Sequence, residues 1–260
     1  MRGLARKSVR GHRGSFLAEG TRVVEEALAG PWAVTDIVGT PSASADIGRW
    51  RAAGRLGGVA VAFTDERTFK TLADSVHPAG VLAVVEEPRL TLADARAKGP
   101  VLLLDRLQDP GNAGTLLRSL HATGGTTVIA LKGTVDLFNP KVVRASAGSL
   151  FHLEVVTHAE PAAALVWLEE RGIPLFALDG RGEPLFGAGG EVPRRFALAV
   201  GNESAGLAAP FLERAALRLA LPMARGVDSL NAAVAGSVAL YELQRRRTEA
   251  DRAARGARKG

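Results

Sequence analysis

The strongest constraint on how this chain can fold is a series of short, almost uninterrupted apolar runs. They are VLLL (Val101–Leu104), TTVIAL (Thr126–Leu131), HLEVV (His152–Val156), IPLFAL (Ile173–Leu178), FALAV (Phe196–Val200) and LRLAL (Leu217–Leu221). A strand that is apolar on both faces has none to give to water, so it belongs in a parallel sheet covered by helices on each side. Helical periodicity fills most of the gaps between the runs, the alternation expected of an α/β domain. Ligands of such sheets sit beyond the carboxyl ends of the strands. Three polar, glycine-rich segments follow strands there: DPGNAGTLLRSL (Asp109–Leu120), AVGNESAGL (Ala199–Leu207) and LPMARGVDSLNAAVAG (Leu221–Gly236). A last long helix is expected from Ser229 to about Arg247.

The first part of the chain alternates shorter elements. A helix is expected within Phe16–Leu28, after a plausible cap at Gly20-Thr21, then a strand over Trp32–Val38 and a helix over Ser44–Ala53. A strand at Val59–Phe63, a short helix at Asp65–Leu72 and a buried strand at Val81–Val85 complete a small α/β unit. The stretch Glu86–Pro100 is polar and bracketed by prolines, as linkers often are. These features divide the chain into a small α/β domain at 1–90, a linker at 91–99, a parallel-sheet domain at 100–247 and a basic tail at 248–260.

Composition narrows the chemistry. Without cysteine there is no disulfide framework, thiolate zinc cluster or thiol nucleophile. The five histidines show no metal-ligand spacing, so no metal is expected. A basic N-terminus without an apolar core is no signal peptide, and no apolar run approaches membrane-spanning length, so a cytoplasmic location without membrane attachment is expected. The net charge of +6 is concentrated at the ends: residues 1–16 and 244–260 each carry +5, leaving the body at −4. Two basic ends on a mildly acidic body suit a polyanion partner, although basic tails can also serve solubility alone.

Asp109–Gly114 places turn residues between a strand and an apolar helix that carries Arg118. Gly111 and Gly114 permit close backbone approach, and a helix N-terminus offers free N–H groups to an anion. A tight turn with Asn112 as the helix cap explains the same residues. Asp105 and Asp109 read equally well as solvated loop acids, and so does Glu203 taken alone. Ser229 and Asn231 open the last helix, where capping is again sufficient. No GxSxG elbow, GxGxxG turn or Walker A loop is present.

Together, the three segments resemble the SpoU/TrmH family of the SPOUT superfamily, RNA ribose 2′-O-methyltransferases, over about Val101–Leu243. Asn112 and Arg118 match its first motif, N-x-x-x-x-x-R; Gly201, Asn202, Glu203 and Gly206 match G-N-E-x-x-G. Pro222 and Met223, then Ser229, Leu230 and Asn231, match its P-M and S-L-N. The segment RASAGSLFHL (Arg144–Leu153) is also similar to the family's, and FLAEGTRVVEEAL with HPAGVLAVV resembles its L30e-type RNA-binding domain. The resemblance implies a small N-terminal L30e-like α/β domain plus a C-terminal parallel-sheet SPOUT methyltransferase domain with a trefoil knot. It also implies S-adenosylmethionine as cofactor, held around Gly201, Asn202, Leu221, Pro222, Met223 and Leu230, and a homodimer with its active site near the interface. Catalytic roles fall to Asn112, Arg118, Glu203, Ser229 and Asn231, with Glu203 holding either Arg118 or the opposing loop. RNA contacts are expected from Arg6, Lys7, Arg10, Arg13 and Arg144. The substrate implied is structured RNA, with 23S rRNA favoured over tRNA; base methylation and a non-catalytic RNA-binding or assembly role are alternatives.

Overall fold

The computed structural model describes residues 14–187, 191–227 and 229–257. Arg6, Lys7, Arg10 and Arg13 lie outside these. The chain forms two compact units, one holding the described residues up to Arg89 together with Asp136–His152, the other Leu90–Val135 and the remainder from Leu153. Elements are numbered along the chain.

The sheet of the first unit has the order β1 (Ser15–Glu19), β4 (Val81–Glu86), β2 (Val34–Gly39), β3 (Ala60–Phe63). Strand β4 runs antiparallel to β1 and β2, while β3 is parallel to β2. Helices α1 (Thr21–Ala29), α2 (Ser44–Ala52) and α3 (Glu66–Lys70) complete the small α/β unit. The helix expected after Gly20-Thr21 is α1, while FLAE before it is strand, and Gly20, at φ 100°, turns the chain from one into the other. A four-residue apolar run directly before an amphipathic helix has no period of its own. Asp65 caps α3 by accepting the Thr68 N–H at 2.9 Å.

The segment Asp136–His152, which includes helix α5 (Pro140–Ala145), belongs to this unit because of two aromatic rings. Phe138 lies 5.1 Å from Phe16 and Phe151 lies 5.4 Å from Trp32, centroid to centroid. Phe16, Phe138 and Phe151 are fully buried, so the segment adds two aromatic side chains to the unit's core. A domain drawn as one continuous stretch from 100 to 247 would carry this segment elsewhere.

The second unit is a six-stranded, wholly parallel sheet ordered β10 (Leu217–Ala220), β8 (Leu175–Pro184), β9 (Ala197–Val200), β5 (Val101–Leu104), β6 (Thr127–Leu131), β7 (Glu154–Ala159). All four residues of β5 and of β9 are buried, as the apolar runs require. Helices α4 (Pro110–Ala122), α6 (Pro161–Glu170), α7 (Ala209–Glu213) and α8 (Ala232–Ala257) connect and cover the strands. Pro110 and Pro161 each open a helix, where the missing N–H is no loss. Helix α8 lies on α4 and β9 with unusual closeness: a β-carbon on Gly236 would come within 2.5 Å of Leu116 and 3.1 Å of Val200. Ser119 and Ser237 hydrogen-bond across the same contact at 2.7 Å.

Residues 91–99 read as a linker but are built into this unit. Leu90 bridges to Val156, and Ala95 and Ala97 are buried. The N–H groups of Arg96 and Ala97 donate to Glu154 at 3.0 and 3.1 Å, Arg96 Nε at 2.8 Å and Thr127 Oγ1 at 2.9 Å. Burial pushes the Glu154 carboxyl up, but these donors together hold it below its ordinary value. Small alanines flanked by charges carry no sequence signal of burial. No helix among the described residues is long and apolar enough to cross a membrane.

Candidate functional site

The three glycine-rich segments converge beyond the carboxyl ends of β5, β9 and β10. Strand β5 leads into Asp105–Asp109 and then α4. Asp109, not Asn112, caps this helix, its Oδ1 accepting the Asn112 N–H at 2.7 Å. That frees the Asn112 side chain, which is nine-tenths buried, to act as a bridge.

Asn112 Nδ2 donates to Glu203 Oε1 at 3.0 Å, and Asn112 Oδ1 accepts from Asn231 Nδ2 at 2.9 Å. The amide orientations follow from the ends of this chain. Asn231 Oδ1 caps α8 by accepting the N–H groups of Ala233 and Val234 at 2.9 and 3.1 Å, so its nitrogen must face Asn112. The Asn112 oxygen then receives that bond, and its nitrogen is left for the carboxylate. Glu203 also accepts the backbone N–H groups of Asp109 at 3.2 Å and Gln108 at 3.3 Å. Burial raises its pKa, but the Asn112 bond and the backbone donors outweigh it and leave the carboxyl below its usual range. One residue from each segment is thus joined in a single polar chain, and of the two tasks open to Glu203 it performs the holding of the opposing loop.

Beside this chain is a cleft of about 260 Å³. Gly201, Asn202, Leu221, Met223 and Leu230 line it, with Glu203 and Ser229; Pro222 does not. Leu178, Val200 and Leu219 add apolar wall. Gly201 has no room for a side chain, since a β-carbon would meet the Gly206 carbonyl carbon at 2.3 Å and the Leu207 nitrogen at 2.4 Å. Asn202 Oδ1 accepts the N–H groups of Ser204 and Ala205 at 3.0 and 2.9 Å, closing the loop into a tight turn that ends on Gly206 at φ 66°.

Two acids of this region escape sequence reasoning. Asp105 is 1% exposed rather than solvated: Arg106 grips it in a two-pronged ion pair at 2.9 and 3.0 Å, and the Ala208 N–H donates to it at 2.8 Å. The Asp105 bond and charge raise the Arg106 pKa further. Asp179 lines the cleft wall, and its Oδ2 is buried with no hydrogen-bond partner among the described residues. Gly180 and Gly182 follow it, and β8 passes so close to β10 that a β-carbon on Gly182 would meet Arg218 backbone at 2.5 Å. An acid between leucine and glycine was the only clue the sequence offered.

Arg118 is not drawn into the polar chain. Six residues beyond Asn112 on α4, it stands roughly 9 Å farther along the axis and about a third of a turn away. It is exposed and, among the described residues, forms no hydrogen bond or ion pair with Asn112, Glu203, Ser229 or Asn231. Arg144 lies in the first unit, in the last turn of α5, 3.5 Å from Asp74. No group of acids and histidines among the described residues could hold a metal ion.

Comparison with known proteins places these features in context. Residues 99–241 match the model of the SpoU rRNA Methylase family, and residues 1–83 match the MRM3-like substrate binding domain. The chain is 35% identical over 242 residues to the 23S rRNA (guanosine(2553)-2′-O)-methyltransferase RlmP of Bacillus subtilis, covering 92% of each protein. It is 32% identical to a 23S rRNA (uridine(2479)-2′-O)-methyltransferase of Streptomyces viridochromogenes, covering 94% of this chain and 87% of that one. Among solved structures, the SpoU methyltransferase AviRb of S. viridochromogenes in complex with AdoMet superimposes with a TM-score of 0.82 at 30% identity, covering 95% and 96% of the two chains. An AdoMet-bound rRNA methyltransferase of Sinorhizobium meliloti gives the same TM-score at 28% identity, covering 94% and 92%.

Proposed function

The chain belongs to the SpoU rRNA methylase family, and on that footing we propose that it transfers the methyl group of S-adenosylmethionine to a ribose 2′-hydroxyl of structured RNA, with 23S rRNA as the substrate. The observation that carries this reading is the Glu203–Asn112–Asn231 chain closing the rim of the cleft.

The cleft residues fit the cofactor. Its apolar wall suits a purine, and backbone groups at Gly201 and Gly206 are bare of side chains. The unpartnered Asp179 oxygen offers a negative acceptor to a ligand bearing a sulfonium, an ammonium and two ribose hydroxyls. The bound cofactor supplies an electrophilic methyl on a positively charged sulfur. The protein's work is to place the ribose oxygen in line and to exclude competing orientations. Asn112 and Glu203 fix the rim, Asn231 ties that rim to α8, and Ser229 completes the wall.

A guanidinium is a cation and a hydrogen-bond donor rather than a base, so the role of Arg118 is to stabilise the charge developing on the 2′-oxygen or to hold a neighbouring phosphate. Its distance from the polar chain supports a site completed by a second copy. Val234, Val238 and Tyr241 form a partly exposed stripe on α8 beside the exposed Phe186, an apolar face suited to pairing two chains. A chain that stays monomeric at micromolar concentration refutes this homodimer. The trefoil knot belongs to the same proposal, since α8 returns to β9 and α4 after β10 has closed the sheet edge; a crystal structure whose chain straightens when pulled from its ends refutes it. The substrate-binding unit, with Arg144 and the basic residues Arg6, Lys7, Arg10 and Arg13, grips folded RNA and presents a loop nucleotide in the cytoplasm.

The test is transfer of labelled methyl from S-adenosylmethionine to unmodified 23S rRNA and bulk tRNA in parallel, followed by alkaline hydrolysis, which 2′-O-methylated linkages resist. Alkali-stable label in 23S rRNA supports the proposal. Label only in tRNA overturns the substrate, and none in either brings forward a non-catalytic RNA-binding role. Arg118→Ala should abolish transfer and leave S-adenosylmethionine affinity within about twofold.

A further inference from the structure

Arg106 holds a backbone conformation that its side chain disfavours. At φ 56° it lies in the left-handed region, where a β-carbon is strained and glycine is at ease. Such a residue persists only where its surroundings over-determine it. Those surroundings are three loops, following β5, β6 and β9. The Arg106 N–H donates to Thr134 Oγ1 at 3.0 Å, and that hydroxyl donates to the Leu104 carbonyl at 2.9 Å. The Arg106 carbonyl accepts Asn202 Nδ2 and Gln108 Nε2, both at 3.0 Å. Its guanidinium spans the buried Asp105 carboxylate and reaches the Gly206 carbonyl at 3.3 Å. Asp105 in turn receives the Ala208 N–H.

The 202–206 turn is closed on itself by reciprocal backbone bonds between Asn202 and Gly206 at 3.2 and 2.9 Å, so it moves as one piece. That piece is fastened at both ends, Asn202 to the Arg106 carbonyl and Gly206 to the Arg106 guanidinium, with Asp105 fixing Ala208 just beyond. Between the fastenings lies Glu203. We propose that Arg106, with Asp105, is a positioning pair that sets the 201–207 loop against the 105–112 loop. The cleft-lining backbone at Gly201 and Gly206 and the Glu203 carboxylate thereby arrive together. Neither member of the pair lines the cleft; both act through the loop they hold. The inference rests on the cofactor reading proposed above, because the cleft edge being positioned is the one assigned to S-adenosylmethionine.

The test uses the full chain with two variants. Arg106→Lys keeps a cation beside Asp105 but lacks the fork that serves Asp105 and Gly206 at once. Asp105→Asn/Arg106→Gly removes the buried charge together with its partner and gives the left-handed turn the residue it suits. Each is measured for melting temperature, for S-adenosylmethionine affinity by calorimetry, and for kcat and RNA KM separately. In both, affinity should fall about tenfold and kcat should fall, while RNA KM stays within about twofold and the melting temperature of the double variant stays within a few degrees. Affinity within twofold of wild type in either folded variant overturns the inference. A wild-type chain that binds S-adenosylmethionine yet methylates no RNA refutes the proposed function alone, since the affinity comparison still stands.

Discussion

Replacing Asn112 by aspartate changes one donor into an acceptor at the centre of the polar chain and alters almost nothing in shape. The bond to Glu203, 3.0 Å long, is lost, and a bond to a charged group contributes about 1.5–3 kcal/mol. Two carboxylate oxygens then face each other at that separation. Because Glu203 is exposed, the water-like end of the dielectric range applies, and the repulsion is about 1.5–3 kcal/mol at an effective constant of about 40–80. The total, about 3–6 kcal/mol, lowers the melting temperature by on the order of 10 °C. The pH dependence identifies the cause. In the wild type the Glu203 pKa is lowered from 4.5, so its contribution is present above that value and lost only in acid. In Asn112→Asp the facing carboxyls raise one folded-state pKa above its unfolded value. The deficit is then full at neutral pH and shrinks as pH falls through the raised value, where one carboxyl regains a proton to donate. Adding Glu203→Gln restores a donor from the other side. Recovery is partial, because the Asp109 N–H at 3.2 Å then faces an amide nitrogen, and a coupling of about 1.5 kcal/mol is expected. Thermal and urea unfolding from pH 5 to 8 measure both effects. A loss under about 1 kcal/mol that ignores pH, or strictly additive substitutions, would show that Asn112 and Glu203 are not joined as described.

Gly201→Ala drives a β-carbon into the backbone of Gly206 and Leu207, so S-adenosylmethionine affinity should fall at least tenfold by calorimetry while the first unit keeps its folding. Asp179→Ala removes the unpartnered buried Oδ2 together with the Oδ1 that accepts the Arg181 N–H at 3.3 Å, so it should change thermal stability little while weakening S-adenosylmethionine about tenfold; unchanged affinity refutes a role in holding the cofactor. Glu154, with its pKa depressed below 4.5, stabilises the wild type above that pH and loses its contribution as pH falls through the folded-state value. Glu154→Gln should therefore lower stability at pH 7 and converge on wild type as pH falls below the folded-state value in urea unfolding.

The parallel sheet was legible because its signal is local: a run such as VLLL has no polar face whatever surrounds it. Strand β1 was not, since FLAE runs straight into the period of α1. The site was legible in part for the same reason. Asn112, Glu203 and Asn231 stand in recognisable patterns, but the patterns do not state which atoms meet. Asp105 looked solvated because the N–H that donates to it belongs to Ala208, 103 residues away. Asp179 was invisible because what marks it is a missing partner. The buried alanines at 95 and 97 looked like linker because smallness serves either end. What the sequence conceals in each case is what the rest of the chain brings, or fails to bring, to the residue.

The bond between Asn112 and Asn231 joins residues 119 positions apart in the chain. A ribosome adding about 5–20 residues per second makes Asn112 some 6–24 s before it makes the residue that completes the bridge. During that interval β5, β6 and α4 can assemble, yet the cleft lacks Leu219, Leu221, Met223 and Leu230 and the rim lacks its third member. On the cofactor site proposed above, an unfinished chain lacks several walls of the cleft until its synthesis has passed Asn231. Birth order thus places the completion of the cleft late in the making of this protein.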